Sequence, residues 1–489
     1  MSITQIEKLA TGIPGFELIS YGGVPKGRTT LITGRSGTGK SILALQVCAH
    51  LARRGLKTLF VAVEETPEDL ITTGESFGFG VAELVRKGQL QIADLTPPRE
   101  GPTFVSGDYD ISGLIHRIAA SVREGKIEVV ALDSVTALFS PRPPDETLRS
   151  HFFQLVHALR SMGVTALITA EASTREGQLT SLGVEDYVCD LVVVLRNQAD
   201  GERRRRSIEI HKYRRSPHYK GEYPATITPR GMTIFPLDAQ DRTAGEEREL
   251  FRMHRFSSGM GGLDEMNSGG WLRDSIVLVR GPSGSGKTTM AGMYARAGAS
   301  RGERVMYWGF EETRSILLRN FASLGMPMEE FIEQGVMRMH CKYPEATSPE
   351  DLLVELRMGL DEYRPSLIVL DSISSIEHST SPNGFRRFMI GMAALFREHG
   401  RSALLTQTTA RAVESDAAPY LSTVADAILL LDYDTKTPEM ERSIRVMKMR
   451  GSSHSTEARK LLIRPGGLAV LPMQGSTGGA MNRNARGES

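Results

Sequence analysis

Cysteine is almost missing from this chain. Only Cys48, Cys189 and Cys341 occur among 489 residues, far apart and in no CxxC or His-spaced pattern. That excludes a disulfide framework and a zinc knuckle, and fits core-filling thiols in a reducing compartment. Long apolar runs are missing too. No stretch of about 18 apolar residues occurs, so no membrane association through a spanning helix is expected. The opening MSITQIEKLA lacks the apolar segment of a secretory signal, and a cytoplasmic chain is expected. Neither sign of charge prevails: the net charge is +1. No global field therefore draws the chain to nucleic acid or anionic lipid. Nor are aromatic and basic residues interleaved as a strand-binding face requires, so nucleic acid is not an expected partner.

What the chain has is a repeat. LATGIPGFELISYGGVPKGRTTLITGRSGTGKS at 9–41 matches FSSGMGGLDEMNSGGWLRDSIVLVRGPSGSGKT at 256–288, an offset of 247. The same offset pairs Glu64 and Glu65 with Glu311 and Glu312. Farther on, VVALDSVTAL with Asp133 pairs with LIVLDSISSI with Asp371. RSIEIHKYRR, with Lys212 and Arg214, pairs with RSIRVMKMRG, with Lys448 and Arg450. Two copies of one domain explain this better than the length alone. The expected divisions are 1–240, 241–472 and a polar, glycine-rich tail at 473–489 that is expected to be disordered. Each copy alternates short apolar runs, such as TTLITG, KTLFVAVEE, IEVVALDS, VTALITAE and DLVVVLRNQ, with helical patterns. That implies an α/β fold with a doubly wound, largely parallel sheet.

GxxxxGK[ST] between a strand and a helix is a phosphate-binding pattern. Its backbone N–H groups and the helix N-terminus cradle phosphates. The first loop supplies Ser36, Gly37, Thr38, Gly39, Lys40 and Ser41; the second supplies Ser283, Gly284, Ser285, Gly286, Lys287, Thr288 and Thr289. Lys40 and Lys287 are expected on the β- and γ-phosphates of ATP. Ser41 and Thr288, with Asp133 and Asp371 at the ends of apolar strands, are expected to hold Mg²⁺, partly through water. Arg35 in the first loop is expected to turn away, since such loops work through backbone amides.

Glu64–Glu65 and Glu311–Glu312 each follow their loop lysine by 24 residues. A carboxylate there polarises a water or hydroxyl for attack on the γ-phosphate, or else simply faces solvent. Alternation along a strand lets one carboxylate of each pair face the nucleotide. Lys212/Arg214 and Lys448/Arg450 stand at i, i+2 on late strands. They act either as fingers on a neighbouring subunit's γ-phosphate or as charge that blunts a sheet edge. Arg203–Arg206 reads as a solvated turn or subunit contact rather than a nucleic-acid patch. His211, His218 and His454 show no metal pattern.

The double TG(I/M)xG(F/L) segment, the two phosphate loops, the two Glu–Glu pairs, FEETRSILLRN and KMRGSSHS together resemble the KaiC family of RecA-superfamily ATPases over about residues 8–465. The resemblance implies tandem RecA-like P-loop domains in a homohexamer of two stacked rings, with ATP and Mg²⁺ bound between subunits. The first ring would hydrolyse ATP, and the second would phosphorylate and dephosphorylate its own chain. The family's acceptors are adjacent Ser and Thr before the last apolar strand, which places them at Ser422 and Thr423 in YLSTVADAILLLDY. From sequence alone these two residues read equally as a cap for the following structure. The first copy has Asp186 and Tyr187 in that slot. A Thr common in the family is replaced by Ala417, and the short C-terminal segment stands against a KaiA-type activator. A KaiB-type partner on the first ring is left open. The alternatives are a nucleic-acid-stimulated motor or recombinase and a nucleotide-gated scaffold, since fold alone does not fix function.

Overall fold

The computed structural model describes residues 6–94, 111–139, 145–173, 180, 188–200, 203–236, 254–343, 348–409, 419–434 and 440–473. Asp186, Tyr187, Ala417, the linker and all of the tail beyond Met473 lie outside them. By internal contacts the chain divides into Met1–Gln240 and Asp241–Ser489.

The strands of the first unit are Lys8–Leu9 (β1), Val24–Pro25 (β2), Thr29–Gly34 (β3), Thr58–Ala62 (β4), Leu90–Asp94 (β5), Val129–Asp133 (β6), Thr165–Glu171 (β7), Leu191–Asp200 (β8), Arg203–Tyr213 (β9), Glu222–Thr228 (β10) and Gly231–Ile234 (β11). Those of the second are Arg255–Phe256 (β12), Trp271–Leu272 (β13), Ile276–Gly281 (β14), Val305–Gly309 (β15), Met337–Cys341 (β16), Leu367–Asp371 (β17), Ser402–Thr408 (β18), Ala427–Asp434 (β19), Glu441–Met449 (β20), Arg459–Arg464 (β21) and Gly467–Pro472 (β22). Each unit holds one nine-stranded sheet. The orders are β5-β4-β6-β7-β3-β8-β9-β10-β11 and β16-β15-β17-β18-β14-β19-β20-β21-β22. Strand by strand the two orders are the same. In each, the first six strands are parallel and the last three return as antiparallel hairpins.

Apolar runs form these strands because both faces are covered. On β4, Phe60 packs into one core layer while Leu59 and Val61 pack into the other. On β6, Val129 and Ala131 oppose Val130 and Leu132 in the same way. The helix Lys40–Arg53 lies on the first layer and is buried for most of its length. It ends before Gly55, whose positive φ of 94° suits glycine. Other helices begin on side-chain caps with proline at the first turn. Thr66 accepts from the Asp69 N–H, Ser348 from Asp351 and Ser381 from Gly384. The run Arg203–Arg206 departs from expectation. Its arginines are not a turn but the first rungs of β9, paired with Asn197–Asp200 of β8.

In the second unit Phe321 meets Tyr307 edge-on at 6.0 Å between ring centroids, and its ring fills the space a side chain at Gly292 would need. Phe321→Ala is expected to lower the unfolding free energy by about 3–5 kcal/mol, the range for truncating a buried ring. Denaturant unfolding followed by circular dichroism measures it.

Candidate functional site: two phosphate loops at the carboxyl end of each sheet

Strand β3 runs into the first loop and β14 into the second, each between two parallel neighbours. At Gly39 and Gly286, φ is 100° and 104°, a backbone state that side chains resist. A Cβ on Gly39 would also lie 2.7 Å from Ile227. The loop lysines fold onto their own backbones. Lys40 Nζ donates to the Gly34 carbonyl at 2.9 Å and to the Arg35 carbonyl at 3.2 Å; Lys287 Nζ donates to the Pro282 carbonyl at 2.9 Å. Burial lowers both amines from the usual lysine range, opposed at Lys40 by Glu171, Asp133 and Glu64, and at Lys287 by Asp371 and Glu311. Arg35 is exposed.

The strand-end aspartates are buried, and burial raises both from the usual carboxylate range. Hydroxyls hold them. Asp133 accepts from Thr169 of the adjacent β7 and from Ser41; Asp371 accepts from Thr406 of β18, from Thr288 and, at 2.8 Å, from the Tyr307 hydroxyl. The first unit has Phe60 where Tyr307 stands, and so lacks that third donor. The Asp133–Ser134 and Asp371–Ser372 peptides are cis. Each of these serines donates to the first glutamate of the pair, Ser134 Oγ to Glu64 at 2.5 Å and Ser372 Oγ to Glu311 at 2.7 Å.

The two members of each glutamate pair separate. Glu64 and Glu311 are exposed and act electrostatically on the loop lysines. Glu65 and Glu312 are half-buried. Burial, then Asp133, Asp69 and Glu64, pushes Glu65 up, while Glu312 accepts from Asn320 Nδ2 at 3.1 Å.

Lys40, Ser41, Asp133 and Glu64 thus converge, as do Lys287, Thr288, Asp371 and Glu311. Two sets of expected residues lie elsewhere. Ser422 and Thr423 are exposed on the helix Pro419–Val424. That helix leads to Asp426, whose N–H donates to the Ile276 carbonyl at 2.8 Å, at the start of β14. Lys448 and Arg450 sit beside it. Lys448 Nζ donates to the carbonyls of Ser422 and, at 2.9 Å, Ala425; the Arg450 N–H donates to the Asp426 carbonyl at 2.8 Å. Arg214 makes the equivalent contact with Asp190, at 2.7 Å, and Lys212 pairs with Val192.

Sequence reasoning missed three features. Ser134 and Ser372 are visible as the residue after each aspartate. Tyr433 and Arg442 brace the second loop: the Tyr433 hydroxyl donates to the Ser283 carbonyl at 3.1 Å, and Arg442 Nε to the Gly284 carbonyl at 3.1 Å. Glu171 ends β7 beside Gly34, and the repeat sets Thr408 in its place in the second unit.

Among the described residues no three His, Cys, Asp or Glu side chains gather as a metal cluster. Mg²⁺ beside a nucleotide needs none, because a carboxylate, a hydroxyl and substrate phosphates suffice. The Asp133–Ser41 and Asp371–Thr288 pairs offer that donor set.

Sheet order, loop and aspartate define a tandem RecA-like P-loop ATPase. The family of KaiC ATPases matches residues 9–239 and 256–475. The circadian clock oscillator protein KaiC of Parathermosynechococcus lividus is 41% identical over 95% of this chain and 85% of its own. The protein of the same name from Picosynechococcus is 40% identical over 96% and 90%, and KaiC 1 of Synechocystis is 40% identical over 94% and 88%. The chain belongs to the KaiC family. No helix among the described residues is long and apolar enough to cross a membrane.

Burial of the aspartates has a sign. Each holds its proton more readily folded than unfolded, so its contribution to stability falls as pH rises above the ordinary aspartate value of 3.8. Asp371→Asn is therefore expected to gain thermal stability relative to the unmodified, nucleotide-free chain as pH rises toward neutrality. Differential scanning calorimetry across that range checks it.

Proposed function

We propose that the chain is an ATP-hydrolysing autokinase whose first copy hydrolyses ATP and whose second copy transfers the γ-phosphoryl group to Ser422 and Thr423 of a neighbouring copy in a homohexameric ring. The supporting observation is the polarity of β14. The acceptor helix is tied to Ile276 at its start, and the phosphate loop begins at Gly281 at its end. Five residue steps at about 3.3 Å each separate them by about 17 Å. In-line transfer needs the reacting atoms within about 3–3.5 Å. An acceptor at one end of the sheet is served by a loop from another subunit, which meets it at a shared boundary.

The roles then follow from the chemistry. Lys287 and the loop amides hold the phosphates; Thr288 and Asp371 hold Mg²⁺, which draws charge from the β- and γ-oxygens. Glu311, steadied by Ser372, accepts the proton of the attacking hydroxyl. Lys448 and Arg450, beside the acceptor helix, reach the neighbour's γ-phosphate as the helix presents its hydroxyl. In the first copy Lys40, Ser41, Asp133, Glu64, Lys212 and Arg214 take the corresponding parts, with water as nucleophile. Glu65, whose burial favours its protonated form, and Glu312, held by Asn320, stand second to the first glutamate of each pair. The KaiC relatives carry the name of a circadian clock oscillator, and a timing role for this chain follows that kinship. A KaiB-type protein on the first ring belongs to the same reading.

Transfer between subunits has a direct test. Chains carrying Lys287→Ala keep acceptors but lose the second loop's lysine. Chains carrying Ser422→Ala with Thr423→Ala keep the loop but lose acceptors. Each alone is expected to incorporate no phosphate at 422–423. Mixed hexamers are expected to label only the Lys287→Ala chain, read by mass-spectrometric site mapping with one chain isotopically marked. Label found only outside 422–423 overturns the acceptor assignment, and mixtures that stay unlabelled while each intact chain labels itself overturn transfer between copies.

A further inference from the structure

The two sites match in lysine, hydroxyl, aspartate and leading glutamate, and differ at the end of the strand beside the loop. In the first unit β7 ends at Glu171, paired in register with Gly34. In the second, β18 ends at Thr408, paired with Gly281. The backbones there are equivalent: the Glu171 N–H donates to Thr136 Oγ1 at 2.9 Å and the Thr408 N–H to Ser374 Oγ at 2.8 Å.

Direction along the strand aims the carboxylate. Thr169 and Glu171 are two residues apart, so they project to one face. Thr169 there donates to Asp133. Its counterpart Thr406 donates to Asp371, which sets Thr408 on the corresponding face of the second unit. Glu171 is exposed, next to Gly34, whose carbonyl holds the Lys40 amine at 2.9 Å. Of the carboxylates acting on that amine, Glu171 acts most strongly, ahead of Asp133 and Glu64. At Lys287 the carboxylates acting among the described residues are Asp371 and Glu311.

A carboxylate facing the γ-phosphate repels it unless a proton donor stands between. Water brings two O–H groups; a serine or threonine hydroxyl brings one. We propose that Glu171 and Glu64 form a two-carboxylate grip that selects water as nucleophile in the first site, while Glu311 alone suits a single hydroxyl in the second. This rests on the hydrolysis and transfer reading above. One O–H of the water points to Glu171, which orients it, and the other to Glu64. The water oxygen bonds to the γ-phosphorus as the bond from that phosphorus to the β–γ bridging oxygen breaks. Its electron pair leaves on ADP. The proton passes to Glu64 and then to solvent, and inorganic phosphate departs.

The test uses the full chain with Lys287→Ala, so that turnover reports the first site. Glu171→Gln and Glu171→Thr are expected to lower kcat by about tenfold or more, a smaller loss than the 10²–10⁴ that removing the proton acceptor itself brings, with KM changed less than about threefold. Glu171→Asp is expected to recover part of the loss. A kcat within about twofold of the parent, or a loss carried wholly by KM, overturns the grip. Reciprocally, Thr408→Glu in a Lys40→Ala chain is expected to raise phosphate release relative to phosphate placed on Ser422 and Thr423; an unchanged ratio counts against the proposal. A Lys287→Ala chain that releases no phosphate at all overturns first-site hydrolysis itself. Turnover equal in that chain and in its Glu171→Gln derivative overturns the grip alone.

Discussion

Six parallel strands, the inner ones buried on both faces, impose one constraint from which the site follows. Their hydrogen bonds fix a common direction, so every strand delivers its carboxyl end to the same edge. The loop after β3, the aspartate ending β6, the glutamates just past β4 and Glu171 on β7 reach one place for that reason alone. The same direction sends the segment before the following strand, β8 or β19, to the opposite edge. In the second unit that segment is the helix with Ser422 and Thr423, held there by Asp426 on the Ile276 backbone. The phosphate loop and the helix with Ser422 and Thr423 are kept apart by the ladder that builds the sheet.

Within each site, hydroxyls set the electrostatics. A buried aspartate is costly unless its oxygens are satisfied. Two threonines from neighbouring strands, two loop hydroxyls and one tyrosine satisfy Asp133 and Asp371. The serine after each aspartate then holds the leading glutamate. Two side chains adjacent in sequence thus fix both the buried aspartate and the leading glutamate beside it, while Glu312 turns to Asn320.

Much of this was legible in the sequence because it depends on local rules. The glycine pattern of the loops, the apolar runs of β3, β6, β14 and β17 and the aspartates at their ends follow from backbone sterics and strand burial. Repetition supplied the rest, since coincidence at matched spacing in both halves is improbable. What stayed hidden depends on pairing between distant segments. Arg203–Arg206 looked like a turn because four charges in a row carry no strand pattern; the ladder with β8 overrides that propensity. From sequence alone Glu171 is only the last letter of an apolar strand. Its place beside Gly34 is a matter of which strand neighbours which, and spacing along the chain does not encode that. From sequence Lys448 is either a finger on a neighbour or charge at a sheet edge; in the single chain it ties off the carbonyls of Ser422 and Ala425.

If phosphate passes between copies as proposed, the separation of loop and Ser422–Thr423 helix also governs what kind of assembly can work. A subunit that gives phosphate from one edge and receives it at the other is a directional unit, and its contacts are head-to-tail rather than self-complementary. A symmetric pair joined face to face would satisfy neither edge. An open row would leave one loop with no hydroxyl to serve and one helix with no donor, and its ends would keep adding subunits. Only a closed circle gives every copy one donor and one recipient. In such a circle the state of each subunit would be written by its neighbour, and information about phosphorylation would pass around the ring in a single sense.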